Sequence, residues 1–190
     1  MTFQPHASIG FPPSSPYERT PLSREFEAFY RALPKDGLVP HRRAFRPEKA
    51  TRFLRHITLC ELRLSATPAI HVRLVGSAIE EEIQHSITGH DFLSYLSEGY
   101  RSGAIETARL MLSRPCGLWQ ITPFHYMRGY GHDVEVTAFP LSEGDGISLI
   151  LVLMQPLGTT FGGPATGGKP LIADTARDYC YIDLGAGLPG

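Results

Sequence analysis

His71-Val-Arg-Leu-Val-Gly-Ser-Ala-Ile-Glu-Glu-Glu-Ile-Gln-His-Ser-Ile-Thr-Gly-His-Asp-Phe-Leu-Ser-Tyr-Leu96 is the stretch of this chain that says most about its fold. Val72 and Leu74 alternate with His71 and Arg73, which suits a half-buried strand, and Ile79, Ile83 and Ile87 then recur at fours as in helical turns. A Thr88-Gly89 hinge separates two such turns. No pair of groups in the stretch could run chemistry; it reads as a strand and short helices built to enclose something.

Working outward, Cys60, Leu62 and Leu64 alternate with Glu61 and Arg63, and Thr67-Pro68 interrupts before a strand from Ile70 to Val75, so a hairpin is expected. After the hinge, Tyr100, Ala104, Ala108, Met111 and Leu112 give a helix from Ser97 to Ser113 one apolar face, and Arg114-Pro115 stops it. Three strands are read next, Gly117 to Pro123, Gly129 to Pro140 and Gly146 to Gln155, the last two joined at Ser142-Glu-Gly-Asp-Gly146. Two strands, short helices, a long helix and three strands predict an α+β domain, an antiparallel sheet with helices on one face.

Arg73-Leu74-Val75-Gly76, the turn at Ile79, Ser86-Ile87-Thr88-Gly89 and Phe139-Pro140-Leu141-Ser142 resemble the signature of the PAS-like family found mainly in alphaproteobacteria, formerly a family of unknown function. Leu38-Val39-Pro40-His41-Arg42 with Phe45-Arg46-Pro47 is similar to its Pro-x-Arg entry segment, and the matches span Pro21 to Gln155. One departure stands out: Gln84-His85 occupy a place where a Gly often precedes the hinge. The resemblance implies a five-stranded antiparallel PAS sheet with an extra N-terminal helix. It also implies a sensory or adaptor role in bacterial signal transduction, with a small ligand or a signalling protein as partner.

The N-terminal helix has its own signals. Thr20 can cap it, Pro21 fits its first position, and Leu22, Phe26, Phe29, Tyr30 and Leu33 fall on one stripe before Pro34. A second short helix is expected from Pro47 to His56. In the last strand, Ile147, Leu149, Leu151 and Leu153 face one side while Ile150, Val152 and Met154 face the other, so both faces need cover. Ile150 and Val152 are taken as the set on the sheet's outer face. The stripe of Phe26, Phe29 and Tyr30 can supply that cover within the chain or from a second copy, and a homodimer is expected. Residues 1–19, rich in Pro and Ser, read as a flexible tail; residues 20–156 as the domain; and Gly-rich residues 157–190 as a C-terminal tail with a possible clip at Asp178 to Leu184.

Bulk properties exclude several classes. A net charge of −1 leaves no footprint for DNA, RNA or an anionic membrane. The longest apolar run, Ile147 to Met154, is far short of the ~20 residues of a membrane helix, and no signal-peptide pattern opens the chain, so a cytoplasmic location is expected. The 3 cysteines, Cys60, Cys116 and Cys180, are too widely spaced for a Cys-x-x-Cys site and odd in number for a disulfide framework.

Motifs that imitate chemistry fail on inspection. Gly163 to Lys169 mimics a phosphate loop, but Pro170 stands where a hydroxyl should reach magnesium, and Pro164 removes an N–H donor. None of the 8 histidines forms a close pair with an acidic ligand on one helical face, which argues against a metal, and haem ligation by His85 or His90 is the less common fate of a lone His. The light-sensing flavin branch of PAS proteins needs a Cys where Gly89-His90-Asp91-Phe92-Leu93 lies here. Asp133 and Glu135 share a strand face and read as a solvated edge. No cofactor is assigned by the sequence.

The expected activity is therefore binding without catalysis. Any small ligand is placed between the long helix and the sheet, near Leu62, Tyr95, Met111 and Trp119. For Trp119 core packing is the ordinary role, and lining the ligand follows from the position of its strand in PAS folds. The alternative is a small α+β-cone enzyme that uses a cavity His and acid, His125 or His132 with Asp133; such a site needs the His and the carboxylate within hydrogen-bond reach inside the cavity.

Overall fold

The computed structural model describes residues 16–144 and 146–189, apart from the side chains of Ile147 and Thr159. Helix α1 spans Pro21–Arg31, α2 Ser77–Ile83 and α3 Glu98–Ser113. The strands are β1 (Ile57–Arg63), β2 (Ala69–Val75), β3 (Cys116–Tyr126), β4 (Tyr130–Glu143), β5 (Gly146–Gly162), β6 (Leu171–Ala173) and β7 (Asp178–Asp183). They form one 7-stranded antiparallel sheet in the order β2-β1-β5-β4-β3-β6, with β7 also pairing β3. The expectation of five strands is corrected. β7 pairs with Cys116 to Ile121 and β6 with Phe124 to Tyr126, so the two lie end to end along β3.

The two added strands come from the segment expected to be a tail. Its Asp178-Tyr-Cys-Tyr-Ile-Asp183 patch alternates in period two and docks as β7, burying Cys180 and Ile182. β5 itself runs on to Gly162, past the expected boundary. Most of the expected N-terminal tail lies outside the described residues, and its last few residues are tied down. Tyr17 donates to Asp133 Oδ2 at 3.3 Å, and Arg19 pairs with Glu27 at 2.5 Å. The expected helix from Pro47 to His56 is instead two single 3-10 turns, Pro47–Lys49 and Leu54–His56, neither capped by a side chain. Uncapped helices this short are marginal. Ala50, Phe53 and Ile57 are buried all the same.

Both faces of the sheet are covered. On the inner face α2, the segment Phe92–Tyr95 and α3 pack over Leu62, Leu118, Val136, Ile150 and Val152. On the outer face α1 covers Trp119, Ile121, Phe139, Leu149, Leu151 and Leu153. The two-sided reading of β5 holds for its described side chains, but the set assignment is reversed: Ile150 and Val152 look to α3, and the leucines look to α1. The Ile147 side chain is outside the described set. Because α1 of the same chain fills the outer face, that face does not call for a second copy.

α1 runs along β4, and their sequences match step by step. The matched pairs advance three helix positions for every two strand positions. Thr20 meets Glu135, Ser23 Oγ lies 2.7 Å from Thr137 Oγ1, and the Phe26 ring centroid lies 5.6 Å from that of Phe139. Tyr30 stacks on Phe139 at 4.4 Å and donates its hydroxyl to Pro140 O at 2.8 Å. Phe26 and Tyr30 are both fully buried, each adding about 2 kcal/mol of apolar burial. Phe29 sits at the side of this contact, its ring against Phe45 and Phe53.

The hinge region has one unusual residue. Gln84, which ends α2, lies in the left-handed region at φ 55°, where Gly is the least strained residue. This is one of the two positions of the Gln84-His85 departure. Arg128 donates to the Gln84 side-chain carbonyl and helps hold it.

Candidate functional site

Between α3 and the inner face lies a cavity of about 230 Å³. It exists because α3 does not press onto the sheet. Of its residues only Ala108 and Met111 are fully buried, while Tyr100 and Ala104 on the same side are half-buried. Gly99, Gly103 and Ala104 present little bulk to the strands below. The walls are mainly apolar, with Leu62 and Ile70 from β1 and β2, Val136 and Ala138 from β4, and Ile150 and Met154 from β5. The exposed Glu106 and Thr175 stand at its rim.

Polar side chains are built into the wall as well, Thr58, Thr107, Gln120 and Thr122 among them. Gln120 of β3 donates from Nε2 to the Tyr100 hydroxyl at 2.7 Å and to Thr122 Oγ1 at 2.9 Å, which ties α3 to the sheet. Burial raises the Tyr100 phenol above its ordinary value and keeps it protonated. Cys60 also lines the cavity, and burial pushes its thiol up to about 12. It is an apolar wall atom at neutral pH rather than a nucleophile.

Of the residues expected to bind a ligand, Leu62 and Met111 line this cavity and Tyr95 and Trp119 do not. Tyr95 is buried in the inner core beside it, hydrogen-bonded to His90 Nδ1 and edge-on to Phe92. Trp119 is a correction of phase. In β3, Leu118, Gln120, Thr122 and Phe124 face the cavity, so Trp119 and Ile121 point to α1. Gln120, which sequence reasoning passed over, is the residue that strand phase would have supplied.

Trp119 has a partner on the outer face. Its Nε1 donates to Glu135 Oε1 at 2.7 Å, and the same carboxylate accepts from Thr20 N at 3.0 Å and Thr20 Oγ1 at 2.5 Å. Thr20 Oγ1 in turn accepts from Ser23 N, capping α1. Glu135 is 1 % exposed and Asp133 8 %, so the expected solvated edge is buried, and Glu135 sits where the α1 dipole favours a negative charge. The polar run Asp133, Glu135, Thr137 ahead of Phe139 and Leu141 on one strand face was the available signal, matching Thr20 and Ser23 ahead of Phe26 and Tyr30.

The residues of the enzymatic alternative are not brought together. Asp133 Oδ1 accepts from Arg177 at 2.7 Å. His125 shares that outer face but stands 4.0 Å from Asp174, with its Nδ1 unpartnered among the described residues. His132 lies on the inner side, its Nε2 3.3 Å from Glu82 Oε1, and Tyr130 donates to the same oxygen. No histidine is among the residues lining the cavity below α3, and Glu106 is the charged side chain there. Among the described residues no cluster of His, Cys, Asp or Glu could hold a metal ion, and no helix is long and apolar enough to cross a membrane.

Comparisons with protein-family models, with curated proteins and with solved structures return no match.

Proposed function

We propose that this chain is a PAS-like sensory or adaptor module of a cytoplasmic bacterial signalling system, binding a small ligand in the cavity below α3 without transforming it. The observation that carries this reading is the cavity itself: enclosed by one long helix and the inner sheet face, apolar, with a polar handle at Gln120 and Tyr100. Sites of this make-up bind small molecules. The element order supports the same reading, with two strands, short helices, one long helix and three further strands before the added β6 and β7. Occupancy would be passed to a signalling protein partner through α1 or a dimer contact, since β3 carries Gln120 on the cavity side and Trp119 on the α1 side.

The test is a thermal-shift screen of a chemically diverse library, repeated on Met111→Trp, whose ring fills the cavity. Saturable hits lost in the variant are expected. No saturable ligand of any class would leave only a protein-interaction role, and turnover of a hit that depends on His125, His132 or Asp133 would favour the enzymatic alternative.

A further inference from the structure

The cavity also specifies a chemical class of ligand, an inference that rests on the binding role proposed above. Size comes first. An apolar cavity of about 150 Å³ holds one benzene ring, so 230 Å³ has room for a fused two-ring compound. Charge comes second. The lining contains no Lys, Arg or His, and its one acidic side chain is Glu106 at the rim. An anionic ligand would lose its hydration with no cation to replace it and would meet a like charge on entry.

Hydrogen bonding comes third. Gln120 donates to Tyr100 and to Thr122 from Nε2, and among the described residues its Oε1 accepts no hydrogen bond. A Gln carbonyl with its amide hydrogens engaged in this way is an oriented acceptor, and the matching ligand group is an N–H. Apolar walls on both sides, Ala104 and Met111 from α3 against Val136 and Ile150 from the sheet, suit the two faces of a flat ring.

We propose that the cavity takes a neutral fused bicyclic aromatic compound whose ring N–H donates to Gln120 Oε1, the chemistry of indole and benzimidazole. Four probes separate the elements of the claim: indole, benzofuran, which replaces the N–H by oxygen, naphthalene, which has neither, and indole-3-acetate, which adds a negative charge. Binding is read by calorimetry and by thermal shift on the full chain. Indole is expected to bind saturably, benzofuran and naphthalene about tenfold more weakly, and indole-3-acetate not at all over the same range. Gln120→Leu should remove the preference for indole over benzofuran while both still bind, and Ala104→Trp should abolish binding of indole, benzofuran and naphthalene. If Gln120→Leu does not fold, Gln120→Met serves the same comparison.

Equal affinity of wild-type protein for indole and benzofuran, a preference that survives Gln120→Leu, or binding of indole-3-acetate as tight as that of indole would overturn the inference. Failure of all four probes beside a library ligand of another class that Met111→Trp abolishes would overturn the class and leave the binding role standing. Failure of every compound, probes and library alike, would sink both.

Discussion

On one face of the sheet Phe26, Tyr30, Trp119 and Phe139 interlock until no side chain among them is exposed; on the other, α3 stands above Val136, Ile150 and Val152 and leaves a 230 Å³ space. The same strands build both faces, so the difference comes from the helices. α1 brings large rings at helical spacing, and Phe26 and Tyr30 both meet Phe139 of β4. α3 brings Gly99, Gly103, Ala104 and Ala108 at the corresponding places. Close packing stabilises, and it also removes any room for a ligand. The contrast assigns stability to the outer face and binding to the inner one.

The largest effect is expected where that packing is tightest. Phe26→Asp places a carboxylate between Phe53 and Phe139, whose ring centroids lie 5.5 and 5.6 Å away, and should cost roughly 4 kcal/mol or more in a denaturant titration. Trp119 belongs to this core, so its fluorescence reports detachment of α1 and not occupancy of the cavity. A variant with the wild-type midpoint would mean that α1 is not part of the core.

A pair of enlargements sharpens the comparison at lower cost. A Cβ at Gly117 would stand 2.5 Å from Cε1 and 2.7 Å from Cδ1 of Phe139, so Gly117→Ala should destabilise by about 1–3 kcal/mol. Ala104→Leu adds three carbons on the cavity side and should be neutral or stabilising by up to about 2 kcal/mol. Equal losses from the two substitutions would mean that the inner face is as full as the outer.

Much of this was legible in the residues, and the misses have physical causes. The two apolar sets of β5 and the stripe of α1 announced a sheet covered twice, because burial on both faces leaves no polar phase in a strand. β3 was harder. Its alternate positions, Trp119, Ile121 and His125 against Leu118, Gln120, Thr122 and Phe124, mix large apolar and polar groups in both phases, so composition does not say which set meets the cavity, and Trp119 lies on the side opposite to the expected one. Glycines around β6 concealed short strands that form only against the edge of β3, since pairing rather than local propensity decides them. Glu135 looked solvated because nothing near it in sequence reveals that the N-terminus of α1 arrives from far along the chain.

Ion pairs contribute least. Arg63 and Arg73 lie 2.8 and 2.6 Å from Glu61 at the β1–β2 edge, and their hydrogen bonds hold its carboxyl down at about 2. A folded value below the ordinary one means that the pair stabilises the fold above pH ~4.5 and loses that contribution as pH falls toward ~2. Glu61→Gln should flatten this part of the acid-unfolding curve slightly and leave the relative order of the substitutions above unchanged at neutral pH. A change of that order would show that electrostatics, and not packing, separates the two faces.

Xenon binding followed by methyl NMR tests the contrast between the faces most directly, because the gas enters dry apolar cavities whatever their natural ligand. Met111 and Met154 line the inner cavity, whereas Met127 is 62 % exposed at the surface. Under xenon pressure the Met111 and Met154 methyl signals should shift saturably, the Met127 signal and the Trp119 indole should stay in place, and Ala104→Trp should abolish the response. Shifts confined to Trp119 and the α1 contact, or none at Met111 and Met154, would contradict an open inner face over a closed outer one.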